Sequence, residues 1–292
     1  MALEMSASEG QQGLSDLVGK ALSGEKKSPV PLRPTPERVV IPEKRLYYDE
    51  LREVLYVIRD HAAQGVFSVN NFDTGHIGPY VDIAASCRNA MVKILSNCTR
   101  DDVHCTIKYC TKGRGKGGRR AQVWTFARSD EHQGRAMHLG PDMKIAVRKN
   151  SAFSSIVGCK DSKGNTWESR PHQCFSCNDL TAVTNYADSK RNWRTYYTTV
   201  VAFPLRYRRA GQGPPAESII GFLTFDSLIK GVFGEIPSRF AYMGQPDEYL
   251  ADFRKTDVYH VGYAIADAVT LATILAGQPV GEGDAIQIEG DD

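Results

Sequence analysis

The chain has no window approaching the roughly 18 to 20 consecutive apolar residues of a membrane span, so no membrane partner is expected. Its start, Met1 to Gly10, lacks the charged and apolar regions of a secretory signal, which predicts a cytoplasmic protein. Charge of one sign is also missing. The 36 lysines and arginines face 34 acidic residues, a formal net charge of +2, and that balance predicts no nucleic-acid partner for the chain as a whole. Cysteines are few: seven, an odd number spread over Cys87 to Cys177, which does not fit a secreted disulfide framework. They are expected as reduced thiols, some of which could hold metal. No internal repeat occurs at a fixed period. His104, His132 and His138 are scattered, and no Ser-His-Asp or paired-carboxylate arrangement can be recognised from spacing, so nothing supports a hydrolase. What remains is 41% hydrophobic and 24% charged residues over 292 positions, the composition of a folded globular domain with extensions.

The periodicity then sets the order of elements. Residues 1–44 are small, polar and rich in proline, which predicts an extended linker or tail, with a short apolar stripe at Leu14, Leu17, Val18 and Leu22. Leu46, Leu51, Val54, Leu55 and Ile58 recur at helical spacing within 46–63, and Val81, Ile83, Ala84, Cys87, Ala90, Met91, Ile94 and Leu95 do so within 80–97. Val103, Cys105, Ile107 and Tyr109 alternate with polar residues, as do Ala121, Val123, Thr125 and Ala127, the pattern of a hairpin. Residues 146–158 read as a helix or mixed turn. The apolar runs 196–207 and 218–225 read as adjacent central strands joined by a loop with two glycines and two prolines, hence antiparallel. A last helix is predicted over 257–276, followed by an acidic tail at 278–292 that is expected to be disordered. The fold class is α/β of the α+β kind: one central antiparallel sheet with helices on one face.

The stretch Val200-Val201-Ala202-Phe203-Pro204-Leu205-Arg206, then Ile219-Ile220-Gly221-Phe222-Leu223-Thr224-Phe225-Asp226-Ser227, resembles the closing strands of GAF domains, small-molecule sensor modules. In that family a strand ending in proline and an apolar-arginine pair precedes a strand of the type isoleucine-glycine-apolar-leucine that ends in aspartate-serine. A phenylalanine and a terminal helix follow, places that Phe233 and the 257–276 helix fill. The resemblance spans about residues 79–277, with 45–78 as an N-terminal helix and its connection; the PAS fold shares a similar topology. The Asn-Lys-Phe-Asp-Glu signature of cyclic-nucleotide GAF domains is absent, which argues against that ligand. The resemblance implies a non-catalytic sensor with a pocket under the insertion at 143–194. It also implies a homodimer built through helices, and signalling to an effector protein.

Within that insertion Asn178, Asp179, Tyr186, Asn192, Trp193 and Tyr196 bring amide, carboxylate and aromatic groups together before a central strand. With Asp226 at the end of the next strand, they are the candidate ligand-binding residues for a planar, nucleotide-like molecule. A structural reading stands beside this one: Asn178 and Asp179 cap a turn at Leu180, and Trp193 and Tyr196 pack in the core. Cys174 and Cys177 form a Cys-x-x-Cys pair near Cys159 and His172, four ligands suited to a structural zinc ion, with free thiols as the alternative. The same three cysteines would serve a GAF-fold thiol enzyme of the free methionine sulfoxide reductase type. A structural subunit of a larger complex is a third function class. Finally, Lys112 to Arg120 carries five positive charges in nine residues on a predicted hairpin loop. It formally contains Gly-x-Gly-x-x-Gly, but a strand rather than a helix follows, which removes the dinucleotide reading. The loop is either solvated or the chain's one feature suited to phosphate or nucleic acid.

Overall fold

Two near-continuous apolar runs pair along their whole length to form the centre of the protein. The computed structural model describes residues 42–68, 72–73, 75–96, 98–111, 121–129, 139–167, 174–208, 217–276 and 286–287. All of them fall in one compact unit that starts at Pro42. The linker and tail expected at 1–44 and 278–292 and the basic loop 112–120 lie outside the described residues, apart from the first residues of helix α1 and the short strand β7.

In chain order the elements are α1 (Pro42–Ala63), α2 (Gly78–Lys93), β1 (His104–Thr111), β2 (Gln122–Arg128), β3 (Ile145–Ala146), α3 (Ser151–Val157) and β4 (Phe175–Cys177). Then come β5 (Thr199–Arg208), β6 (Glu217–Ser227), α4 (Pro246–Phe253), α5 (Asp257–Leu275) and β7 (Ile286–Gln287). The fold is α+β. Six strands run β3-β2-β1-β6-β5-β4, every pairing antiparallel, and β7 adds a short edge to β6. The hairpin expected from alternation is β1 with β2, and the two apolar runs are β5 and β6. Helix α2 stops at Lys93, short of the predicted Asn97.

Alternation along the central strands divides the interior in two. Cys105, Ile107, Tyr109, Phe126, Val201, Phe203, Leu205, Leu223 and Phe225 face one way and pack with α1, α2, α4 and α5. Val123, Val200, Ala202, Ile219 and Phe222 face the other way and pack with α3, β4 and the segment 180–197. Helices therefore lie on both faces rather than on one, because the insertion at 143–194 carries the short helix α3. Phe153 of α3 stacks on Phe222 of β6 with centroids 4.5 Å apart.

Two local devices hold this arrangement. Gly221 sits where β6 crosses β1 and β5. A Cβ there would run into the backbone carbonyl of Lys108 and come within 3.0 Å of Leu205 Cδ1, so no larger residue fits without parting the strands. The amphipathic α5 is capped by Thr256, whose hydroxyl accepts from the Tyr259 amide at 3.2 Å. With 19 residues and a mean hydropathy of 1.4, α5 is long and apolar enough to cross a membrane. Yet 56% of that stretch is buried inside the protein, against β5 and α1, as in the core helix of a folded domain.

Candidate functional site

The face of the sheet opposite α1, α2 and α5 is not uniformly apolar. Lys108 and Thr106 on β1, Arg128 on β2, and Thr224 and Asp226 on β6 interrupt it, although these strands are central. Pairing brings them together: Arg128 lies opposite Thr106 and Thr106 opposite Thr224, while Asp226 sits between His104 and Val200. They form the floor of a cavity of about 110 Å³. Its side is Ile145, Asn150, Ala152 and Phe153; its roof is the segment from Tyr186 to Tyr197.

The roof is held by hydrogen bonds that start on α3. Asn150 caps that helix, its Oδ1 accepting from the amides of Ala152 (3.0 Å) and Phe153 (3.3 Å), while its Nδ2 donates to Asp188 Oδ2 at 2.9 Å. Asp188 also accepts from the Tyr197 hydroxyl at 2.6 Å and from the Lys190 amide at 2.8 Å. Beneath this, the buried carboxylate of Asp161 accepts from Ser151 Oγ (2.5 Å), Asn165 Nδ2 (2.7 Å) and two backbone amides. Ser151 Oγ in turn accepts from the Ala187 amide at 2.8 Å, and Asn165 Nδ2 donates to the Asn185 carbonyl at 2.8 Å. One buried acid thus fixes both ends of the turn that leads into the roof. The aromatic part packs on itself: Tyr186 meets Trp193 at 4.9 Å and Trp193 meets Tyr197 at 5.5 Å, contacts worth about 0.5–1.5 kcal/mol each. Burial pushes the phenols of Tyr186 and Tyr197 well up, so both stay neutral and able to donate.

Of the seven residues expected to bind ligand, four line this cavity: Tyr186, Trp193, Tyr196 and Asp226. Trp193 and Tyr186 are at once core and lining, so packing and exposure to the cavity coexist in them. The other three do not line it. Asp179 caps the short turn Leu180–Ala182, accepting from the Thr181 amide at 2.9 Å, and pairs with Lys230 at 3.0 Å. The Thr181 hydroxyl and Lys230 hold its carboxyl below the usual carboxylate range. Asn178 gives its carbonyl to Thr199 Oγ1 and the Gly231 amide, and exposed Asn192 gives its carbonyl to Thr195. All three do structural work at turns: Asp179 caps as the structural reading had it, whereas Asn178 does not cap and joins the turn through its backbone carbonyl and through Nδ2, which donates to the Gly234 carbonyl.

Lys108, Arg128, Asn150 and Asp188 were not among the expected residues. The signal for the first two lay in the hairpin: polar side chains at alternate positions of strands that a central sheet buries on both faces.

The cysteines are arranged against chelation. Cys177 is on β4 rather than in a loop, and Cys174 immediately precedes that strand. Three positions apart on extended backbone, they point to opposite faces: Cys174 into the core under α4 and α5, Cys177 into the core under α3. Zinc would need both sulfurs about 2.3 Å from one ion. No group of three or more potential ligands occurs among the described residues, and His172 lies outside them. Burial pushes the Cys174 thiol up to about 12 and also raises Cys177, opposite to the lowered value that a nucleophilic thiol needs.

No protein-family model matches the chain, and no curated protein matches it either.

Proposed function

We propose that this is a GAF-like sensor domain of the cytoplasm, binding one small planar molecule between the sheet and the 186–197 roof and signalling through a second copy or an effector. The observation that carries this reading is the cavity itself. Its lining combines aromatic walls with a few converging polar groups, the mixture that ligand pockets show. Its volume of about 110 Å³ approaches the roughly 150 Å³ that admits a benzene ring, which favours a single-ring molecule over a nucleotide.

Three further features support it. Pro204 with Leu205-Arg206 near the end of β5, Gly221 and Asp226-Ser227 on β6, buried Phe233 and then α5 stand in the order that the GAF resemblance asks for. The cavity lies under the insertion, on the face away from α1, α2 and α5. The outer sides of α1 and α5 leave Leu55, Tyr56, Leu271 and Leu275 exposed, apolar surface suited to a second copy of the chain.

Ligand binding would act by population shift, ordering the roof and biasing the state in which α1 and α5 pair. The test is a thermal-shift screen of single-ring metabolites on the purified chain, repeated on Trp193→Ala. Compounds that raise the melting temperature of the parent but not of the variant are expected. Equal shifts in both, or no shift with any compound, would overturn the reading.

A further inference from the structure

The 36 cationic and 34 acidic side chains nearly cancel over the chain, but they are not mixed evenly over its surface. On the face that carries α1, α2, α4 and α5, cations stand beside acids. Arg52 pairs with Asp49 at 3.6 Å, Arg59 with Asp60 at 2.8 Å, Lys93 with Glu50 at 3.5 Å and Lys255 with Asp252 at 2.8 Å. The insertion on the other face is built differently. Lys144 and the pair Arg148-Lys149 stand on either side of the edge strand β3, Lys160 and Lys163 flank the Asp161 turn, and Arg191 belongs to the roof, all of them exposed. Among the described residues, none of these six is in an ion pair.

Hydrogen bonds draw the three segments together. The Ser162 amide donates to the Arg148 carbonyl at 2.8 Å, which seats the Asp161 turn against Arg148. The Ser151 amide donates to the Ala187 carbonyl at 3.0 Å and Asn150 Nδ2 to Asp188 at 2.9 Å, which seats the roof beside Lys149. The acids of the same segments do not answer this charge. Asp161 is buried, and Asp188 is taken up by Asn150, Tyr197 and the Lys190 amide. Among the described residues of 142–167 and 185–197, Asp142 is left as the one exposed carboxylate. Cations gathered on one face of a chain are the electrostatic footprint of a nucleic-acid partner.

The kind of polyanion follows from what the face lacks. Among the described residues of the insertion, Met143 is the one large apolar side chain exposed. A stable lipid contact needs apolar insertion besides charge, and a protein interface needs an apolar or aromatic anchor at its centre. The nearest rings, Trp193 and Tyr196, are already faced by Arg194 at 5.2 Å and by Lys190 at 4.6 Å, so neither offers an open platform for unpaired bases. We propose that the outer surface of the insertion binds duplex nucleic acid through its phosphates, without reading sequence, with Arg148, Lys149, Lys160 and Lys163 at its centre. This goes beyond the ligand pocket, which lies beneath the same segments and is not required for it.

The test is fluorescence anisotropy of a labelled DNA duplex of about 20 base pairs, titrated with the full chain between about 50 and 200 mM salt. The logarithm of the binding constant is expected to fall against the logarithm of salt with a slope of about −3 to −5, as for roughly three to six phosphates. Arg148→Gln with Lys149→Gln, both exposed, should keep the melting temperature of the parent and flatten the slope by about two. Arg52→Gln with Arg59→Gln removes the same charge from α1 and should leave the slope as it is. No binding of the duplex at about 50 mM salt, or equal flattening by the two double variants, would overturn the inference. So would tighter binding of polyglutamate or of phosphatidylserine vesicles than of the duplex, or a slope that flattens only when the cations of 112–120 are neutralised.

Discussion

Replacing Gly262 with alanine tests how α5 sits on the sheet. Gly262 faces Phe203 of β5 so closely that an added Cβ would fall 2.6 Å from Cε1 of the ring, and nearer still to Cζ and Cε2. Carbon atoms in ordinary contact sit about 3.5–4.0 Å apart, so ring or helix must retreat by about 1 Å or more. Phe203 is fully buried, with Tyr263 at 5.3 Å, Phe253 at 6.2 Å and Phe225 at 6.4 Å, so the ring has no room to turn aside. Overpacking of this kind costs about 1–3 kcal/mol and occasionally more. Alanine returns about 1 kcal/mol over glycine through helix propensity. Approaches this close put the cost at the upper end, about 3 kcal/mol, so a net loss of about 2 kcal/mol is expected, which lowers the melting temperature by roughly 4–8 °C in a domain of this size. The assay is urea unfolding of four proteins: parent, Gly262→Ala, Phe203→Leu and the double variant. In the Phe203→Leu background the same alanine should cost little or stabilise by up to about 1 kcal/mol. A Gly262→Ala protein as stable as the parent would refute the packing described for α5 on β5.

Further outcomes follow from the site and its supports. Asp161→Ala should lose about 3 kcal/mol, since Ser151, Asn165 and two amides lose a buried acceptor. Hydrogen exchange should then speed up at 185–188 while α5 stays protected; uniform loosening would contradict the link drawn between Asp161 and the roof. Cys174 and Cys177 should resist a disulfide reagent at pH 8 until the chain unfolds, because burial raises both thiols. Fast labelling of either in the native protein would reject that placement. Asp179 has a lowered folded value, so its contribution is present above the unfolded value of about 3.9 and is lost as pH falls through the folded one. The stability difference between the parent and Asp179→Asn should therefore shrink below about pH 4. A difference that grows on acidification would show that the pairing with Lys230 is not what holds that carboxylate.

How far the residues alone lead depends on the length of each signal. Alternation over seven positions identified β1 and β2, near-continuous apolar runs identified β5 and β6, and an apolar stripe identified α5. β4 has three residues and α4 has eight, too few for a period to show, so the Cys-x-x-Cys sequence read as loop. Only the strand reveals that the two thiols diverge. The aromatic half of the site was legible since Tyr186, Trp193 and Tyr196 cluster within eleven residues. The cationic half was not, because Lys108 and Arg128 come to line one cavity through the pairing of β1 with β2, and register is a tertiary outcome. Asp179 carried both meanings in sequence, and local hydrogen bonding decided for the cap.

The claim that the cavity under the roof is where this protein meets its ligand is tested most directly by nitrogen-15 NMR of the full chain, titrated with single-ring compounds and read at every assigned amide. Shifts centred on Thr106, Lys108, Asp188, Trp193 and Thr224 are the expected result. Shifts centred instead on the cleft between the end of α2 and the start of α5, around Val232, Gly234 and Thr256, or none with any compound, would contradict it.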